Sequence, residues 1–419
     1  MTETPWKTDR WFSSPWNYLP EVISGFSFPA ALELHDVTLR DGEQQAGIEF
    51  TTDDKIRIAD LLAEAGVHRI EAGLPAVSKA DEKAVREIVK RNTGAKIYAF
   101  SRCMLDDVKL AIDCGVSGVV MEIPSSHHLI ERAYRWPLQK AIDLSIEATS
   151  YAHEHGLSVS FFPIDATRAG VVELLDDLEH VATDGHVDAI GLVDTFGVIS
   201  PHAIGYFVRK VRDRLAVPLE THFHMDFGLG VANTIIAVTM GASCIQTTIA
   251  GLGERAGNTP MEETILALLT MYGIDTGLRT ERFFDLAHEV LERARVAQPS
   301  NRPVIGERLF NVESGIIASW VKNVGSEFLT EAFPYRPELV GQPAPRIVLG
   351  KGSGLDSVAV WLDRLGITAT SEEIAAVLGE VKARSLETKG LLDEDEFAAI
   401  VDRVLPGRLT EPAAVPSAS

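Results

Sequence analysis

Between Ala31 and Gly251 the chain repeats one rhythm: short apolar strand candidates alternate with amphipathic helical stretches. Strand candidates begin near Ala31, His68, Lys96, Gly118, Ser158, Ala189, Leu219 and Cys244. Between them lie stretches such as Thr52–Ala65, Leu138–His155 and Ser200–Leu215, with apolar residues at i, i+3 and i+4. Strands that alternate with helices build a parallel sheet, and eight units over roughly 220 residues match a (β/α)8 TIM barrel. A doubly wound open sheet would want a Gly-x-Gly-x-x-Gly turn after the first strand, and Thr38–Gln44 offers none. The expected organisation is an aromatic arm over 1–27 and a barrel over 28–275. A linker or subdomain over 276–345, a mostly helical C-terminal accessory domain over 346–405 and a disordered tail over 406–419 follow. The arm carries Trp6, Trp11 and Trp16 without helical or strand periodicity, and is expected to pack on its own barrel or on a partner subunit.

Polar residues gather where the strand candidates end: Arg40 and Asp41, Glu71, Ser101 and Arg102, Glu122, Asp165, Asp194 and Thr195, His222 and His224, then Asn258. In a barrel those ends share one face, which carries the active site. The run His222-Phe223-His224 closes a strand candidate, and residues i and i+2 of a strand point to one side. Two imidazoles with the carboxylate of Asp41 and the amide of Asn258 form a mixed N/O set for a divalent cation. Such a set suits Zn, Mn, Mg or Co without choosing among them. Missing thiolates argue against a closed structural zinc site.

A cation held this way acts as a Lewis acid on a ketone. Arg40 is placed to meet the same oxygen as negative charge grows there, and Glu71 to orient Arg40 or a water. Thr195 is a candidate donor to a substrate carboxylate. The candidate catalytic set is therefore Arg40, Glu71 and Thr195, and the candidate substrate contacts are Arg40, Gln44, His128 and Thr195. Competing structural readings are an ion pair at a helix start for Arg40–Asp41, a bridge from Glu71 to Arg69 or Arg40, and a turn cap for Thr195. Gly251–Asn258 also reads as a plain β–α turn. His35, His127, His153 and His155 read as surface residues, and His128 as facing either the site or solvent.

The bulk properties narrow the class further. A formal net charge of −21 without a local basic patch argues against nucleic acid and anionic membranes as partners. Three scattered cysteines, Cys103, Cys114 and Cys244, fit reduced core thiols rather than a disulfide framework. With no apolar run of about 18 residues and no signal-like N-terminus, a cytoplasmic protein is expected.

Five ordered motifs carry a resemblance. Leu34–Gln44 (Leu-His-Asp-Val-Thr-Leu-Arg-Asp-Gly-Glu-Gln), Ile70–Gly73, Asp194–Gly197, His222–His224 and Gly251–Asn258 resemble those of the DRE-TIM metallolyases. The likeness is to their acyl-CoA-condensing branch: homocitrate, 2-isopropylmalate and citramalate synthases. It implies Asp41, His222 and His224 as metal ligands, with Asn258 fourth or behind them, and Arg40 with Glu71 as its acidic companion at the keto oxygen. It also implies an acyl-CoA, usually acetyl-CoA, and a 2-oxo acid as substrates, and by analogy a homodimer. Three positions depart from the family pattern. Met225 stands where an asparagine is usual, Ile317 replaces the histidine of Ser-Gly-Ile-His, and Phe162 and Ile164 occupy often polar positions on the fifth strand. An isoleucine transfers no proton, so the usual base or water-activator is missing at 317 and a shifted specificity is expected. The related lyase branch, similar to hydroxymethylglutaryl-CoA lyase, would place a cysteine in Gly251–Asn258, where none occurs. A C–C lyase and a non-catalytic barrel remain the alternative readings.

Overall fold

The computed structural model describes residues 4–409. Eight parallel strands close into a barrel in sequential order. They are β1 (Glu33–Asp36), β2 (Arg69–Glu71), β3 (Lys96–Arg102), β4 (Gly118–Pro124), β5 (Ser158–Ile164), β6 (Ala189–Asp194), β7 (Leu219–Phe223) and β8 (Cys244–Thr247). The seam is made by β8 against β1, from Glu33 opposite Cys244 to Asp36 opposite Thr247. This is the TIM barrel that the strand–helix rhythm predicts. Every residue of β6 and β7 is buried: β6 is apolar up to Asp194, as a strand enclosed on both faces requires, whereas β7 buries Glu220 against Arg69.

Alternate positions of β3 to β6 send Tyr98, Val120, Phe162 and Val193 into the lumen as one apolar layer. Gly191 makes room for it: a Cβ there would fall 2.7 Å from the Phe162 ring. That ring in turn meets His222 edge-on, with centroids 5.8 Å apart. His35, expected at the surface, is fully buried and lies edge-on to Tyr98 at 5.0 Å. Its place on an enclosed barrel strand overrides the histidine's preference for water.

The helices around the barrel start where local hydrogen bonding tells them to. Thr51 accepts from the Asp54 amide while the Asp54 carboxylate accepts from Thr51, a capping box that opens Thr52–Glu64 and is worth about 1 kcal/mol. After the loop that follows β8, Met261–Tyr272 is helical. The span 276–345, expected as a linker or subdomain, contains the helices Phe283–Ala294 and Gly315–Val324. No helix among the described residues is long and apolar enough to cross a membrane.

The chain divides into two compact units, Ser14–Gly306 with the barrel, and the described parts of Met1–Ser13 with Glu307–Ser419. In the second unit Arg346–Ile347 pairs in parallel with Asn311–Val312. Helices Leu355–Arg364, Ser371–Thr388 and Glu394–Val404 pack Val358, Trp361, Val377, Val381, Phe397 and Val401 into its core. The N-cap of Ser371–Thr388 is Thr370, which shares a capping box with Glu373. Ile317 packs against this core as a hydrocarbon. The tail beyond Leu409, expected to be disordered, lies outside the described residues.

Candidate metal centre at the barrel mouth

The turn after β1 is locked before it delivers its two functional residues. Buried Asp36 accepts from the Thr38 amide at 2.9 Å and from its hydroxyl at 3.0 Å. The Thr38 hydroxyl accepts from the Ile249 amide at 2.9 Å, tying the turn to the loop after β8. Arg40 and Asp41 follow, both buried.

Asp41 is the hub. Its Oδ2 lies 2.9 Å from Arg40 Nη1, 3.3 Å from His222 Nε2 and 4.0 Å from His224 Nε2. Its Oδ1 accepts from Asn258 Nδ2 at 2.9 Å. Burial alone would raise this carboxyl, but the Arg40 guanidinium beside it holds it well below the usual carboxylate range. His222 and His224 leave β7 on the same side, as the i, i+2 spacing requires. His222 Nδ1 donates to Gln246 Oε1 at 2.9 Å, which turns the Nε2 lone pair toward Asp41. Burial lowers His224 to about 4, outweighing Asp41's opposing pull, so at neutral pH the ring is an uncharged ligand. A lone pair aimed at a carboxylate, together with the buried and unpartnered His224 Nδ1 and Asn258 Oδ1, is a donor set that fits a divalent cation.

The loop after β8 has the glycines this requires. Gly253 adopts φ +149, and a Cβ there would fall 2.2 Å from Asn258 Nδ2. At Gly257 (φ +86) a Cβ would meet the Gly251 carbonyl at 1.9 Å. Only glycine lets the loop fold tightly enough to bring Asn258 over Asp41.

Arg40 is aimed as well as held. Its Nε donates to Glu71 Oε1 at 2.6 Å, Nη1 to Asp41, and the guanidinium lies 4.6 Å from the Phe100 ring centroid. Burial works against its charge, and Glu71, Asp41 and Glu122 overcome that and raise its pKa. Nη2 has no hydrogen-bond partner among the described residues. Glu71 therefore pairs with Arg40 and not with Arg69, which bonds Glu220 at 2.7 Å and also pairs with Glu33. Burial pushes Glu71 up to about 7, against the downward pull of Arg40.

A second cluster, His35, Glu220 and Cys244, also brings three potential ligand atoms within 4.8 Å. It is a poorer metal site. Arg69 already neutralises Glu220, and burial raises the Cys244 thiol well above its ordinary value, so no thiolate is offered.

The remaining sequence-predicted residues spread around the rim. Thr195 Oγ1 accepts from the Asp165 amide at 2.8 Å and supports the left-handed backbone there (φ 66). His128 is half-exposed, with Nε2 3.2 Å from Asp165 Oδ2. Gln44 is exposed and lines, with Arg40, a cavity of about 460 Å³. Gln246 was not picked out from sequence. Its function as the partner of His222 depends on the pairing of β7 with β8, and no local motif signals that.

A closed parallel barrel carrying two histidines at the end of β7 and the aspartate of the turn after β1 is a (β/α)8 protein with a candidate metal site at its mouth. The family described as HMGL-like matches residues 31–290, and the chain belongs to it. A homocitrate synthase AksA of Methanothermobacter thermautotrophicus is 36% identical over 385 residues, which are 92% of this chain and 96% of that protein. A 2-isopropylmalate synthase of Methanocaldococcus jannaschii is 34% identical over 395 residues, 92% of this chain and 74% of that protein. The solved HMG-CoA lyase of Bacillus subtilis shares the fold, with a TM-score of 0.59 at 19% identity, over 65% of this chain and 96% of that one.

Proposed function

We propose that the protein is a divalent-cation-dependent synthase that joins an acyl-CoA, acetyl-CoA first, to a 2-oxo acid. The products are a 2-hydroxy-2-alkyl dicarboxylate and CoA. The observation that carries this is the unpartnered Nη2 of Arg40 beside Asp41, His222 and His224: one N–H donor left over where a carbonyl oxygen has to be received. The homocitrate synthase and 2-isopropylmalate synthase named above, each matched over nine-tenths of this chain, support the same reading.

In this reading Asp41, His222 and His224 hold the cation, Asn258 completes or braces the set, and Mn, Mg, Zn and Co are the candidates. Bound there, the cation supplies Lewis-acid polarisation of the ketone. Arg40 donates from Nη2 to the keto oxygen, a preorganised donor where charge develops. Glu71 fixes the guanidinium, and Gln246 fixes the His222 tautomer. Thr195, Gln44 and His128 are the candidate contacts to the substrate's carboxylate and tail. The protein is taken to act in the cytoplasm as a homodimer, which light scattering of the purified protein tests.

The lyase alternative lacks a cysteine in Gly251–Asn258. The test is thiol release when purified protein is incubated with acetyl-CoA, Mn or Mg and a panel of 2-oxo acids. Release with at least one acid is expected. Release with none, alongside cleavage of a 3-hydroxyacyl-CoA, would transfer the protein to the lyases.

A further inference from the structure

One carboxylate at the mouth, that of Glu122, is engaged among the described residues by a long ion pair to Arg40 rather than by a hydrogen bond. Glu122 lies on β4 two residues past Val120, whose side chain belongs to the lumen layer. Strand residues two apart share a face, so Glu122 projects into the same lumen one step nearer the rim. Its side chain is 15% exposed, and its Oε1 is 3.8 Å from Arg40 Nη2, too far for a hydrogen bond. The other rim carboxylates are committed. Asp41 is shared between Arg40, Asn258 and the imidazoles, and Glu71 is bound by Arg40. Asp165 accepts from Ser126 and Arg168, and Asp194 from Thr167 and the amides of Val198 and Ile199. On the neighbouring strand, Glu122 is in register with Phe162, and Ile164 follows two residues later, so β5 provides no proton carrier there.

The 3.8 Å separation is informative. A substrate oxygen about 2.9 Å from Nη2 and about 2.7 Å from Glu122 closes a triangle on that base, within ordinary hydrogen-bond lengths. Glu122 therefore borders the place where the keto oxygen sits and the new carbon–carbon bond forms. Burial raises its carboxyl from the ordinary glutamate value, partly offset by Arg40, which makes it a stronger base than a wet glutamate.

We propose that Glu122 is the base of the condensation, the part left vacant by the isoleucine at 317. The proposal rests on the synthase reading above. The carboxylate takes a proton from the α-carbon of the acyl thioester, and the C–H electron pair forms the bond to the keto carbon. The carbonyl π pair moves onto the keto oxygen facing Arg40 Nη2, and that oxygen takes the proton back from Glu122. Water then cleaves the thioester, releasing CoA.

The test uses the full chain with Mn, acetyl-CoA and an oxo acid that the wild type turns over. Glu122→Gln is expected to lose roughly 10²- to 10⁴-fold in kcat, while its KM for the oxo acid and its Mn affinity stay within about threefold. Glu122→Asp keeps the acid on a shorter arm. It is expected to recover at least about tenfold over Glu122→Gln and to show a larger isotope effect with trideuteroacetyl-CoA than the wild type, because proton transfer becomes limiting. A Glu122→Gln enzyme within about tenfold of wild type overturns the proposal, as does a loss confined to KM or to Mn binding. If Glu122→Gln does not fold, the isotope effect of Glu122→Asp decides alone, and an unchanged effect overturns the proposal. Wild-type protein inert toward every oxo acid removes the synthase reading and this inference together, whereas an active wild type with an active Glu122→Gln removes only this one.

Discussion

Gly253→Ala tests the metal centre without touching a proposed ligand. The backbone at 253 has φ +149, a region almost reserved for glycine, so an alanine there carries about 1–3 kcal/mol of strain. Its Cβ would also lie 2.2 Å from Asn258 Nδ2, inside any tolerable contact, so the amide must move. Moving it breaks the bonds from Nδ2 to Asp41 Oδ1 (2.9 Å) and to the Leu252 carbonyl (3.2 Å). Asp41 then loses the partner that orients its carboxylate. Loss of such an outer partner typically weakens metal binding about 10- to 100-fold, roughly 1.4–2.8 kcal/mol. The assay is calorimetric titration of Mn into EDTA-treated wild type, Gly253→Ala, Asn258→Ala and the double variant. Both changes act through one side chain, so the double variant should bind little worse than Asn258→Ala alone, a coupling of about 1 kcal/mol or more. A folded Gly253→Ala protein that binds Mn as wild type does, or losses that simply add, would refute the reasoning.

Arg40→Lys keeps a positive charge but loses the planar fork that reaches Glu71, Asp41 and the free Nη2 position at once. Its kcat should fall by about 10²–10³ in the thiol-release assay, the range for removing one oxyanion donor. Asp36 and Glu71 are both raised by burial to about 7 in the folded protein, from 3.8 and 4.5. Each therefore contributes stability that is complete below its unfolded pKa and lost as pH rises through about 7, so the melting temperature in EDTA should decline from pH 5 to pH 8. Asp36→Asn copies the protonated form, and it should flatten that decline in a calorimetric pH series.

The barrel was legible because its signal is coarse and repeated. Apolar runs such as those of β4 and β6 switch abruptly to Glu122 or Asp194 and Thr195, and enclosed parallel strands allow little else. Asp41, His222 and His224 were legible because strand ends converge in this fold whatever the loops do. Finer features depended on contacts between residues far apart in sequence. Glu122 stood out as a strand-end carboxylate, but a role for it needed the position of Arg40 and the commitments of its neighbours. Gln246 became visible only through its bond to His222. The histidine at 35 looked like a surface residue because nothing local says that β1 is sealed between β2 and β8. The helix Phe283–Ala294 falls within the span expected as a linker or subdomain, although Leu286, Val290 and Leu291 carry the helical spacing. Thr370 and Ser371 are adjacent hydroxyl residues, and only backbone geometry decides which one caps.

The seam between β8 and β1 has a consequence for how the protein is made. Asp41 and Asn258 touch across 217 positions of chain, and Thr38 reaches Ile249 across 211. A ribosome therefore completes nearly the whole barrel before the last of the proposed cation donors exists. Capture of the ion would then coincide with ring closure, so the appearance of Mn affinity along a series of stalled nascent chains would mark the length at which the cylinder shuts.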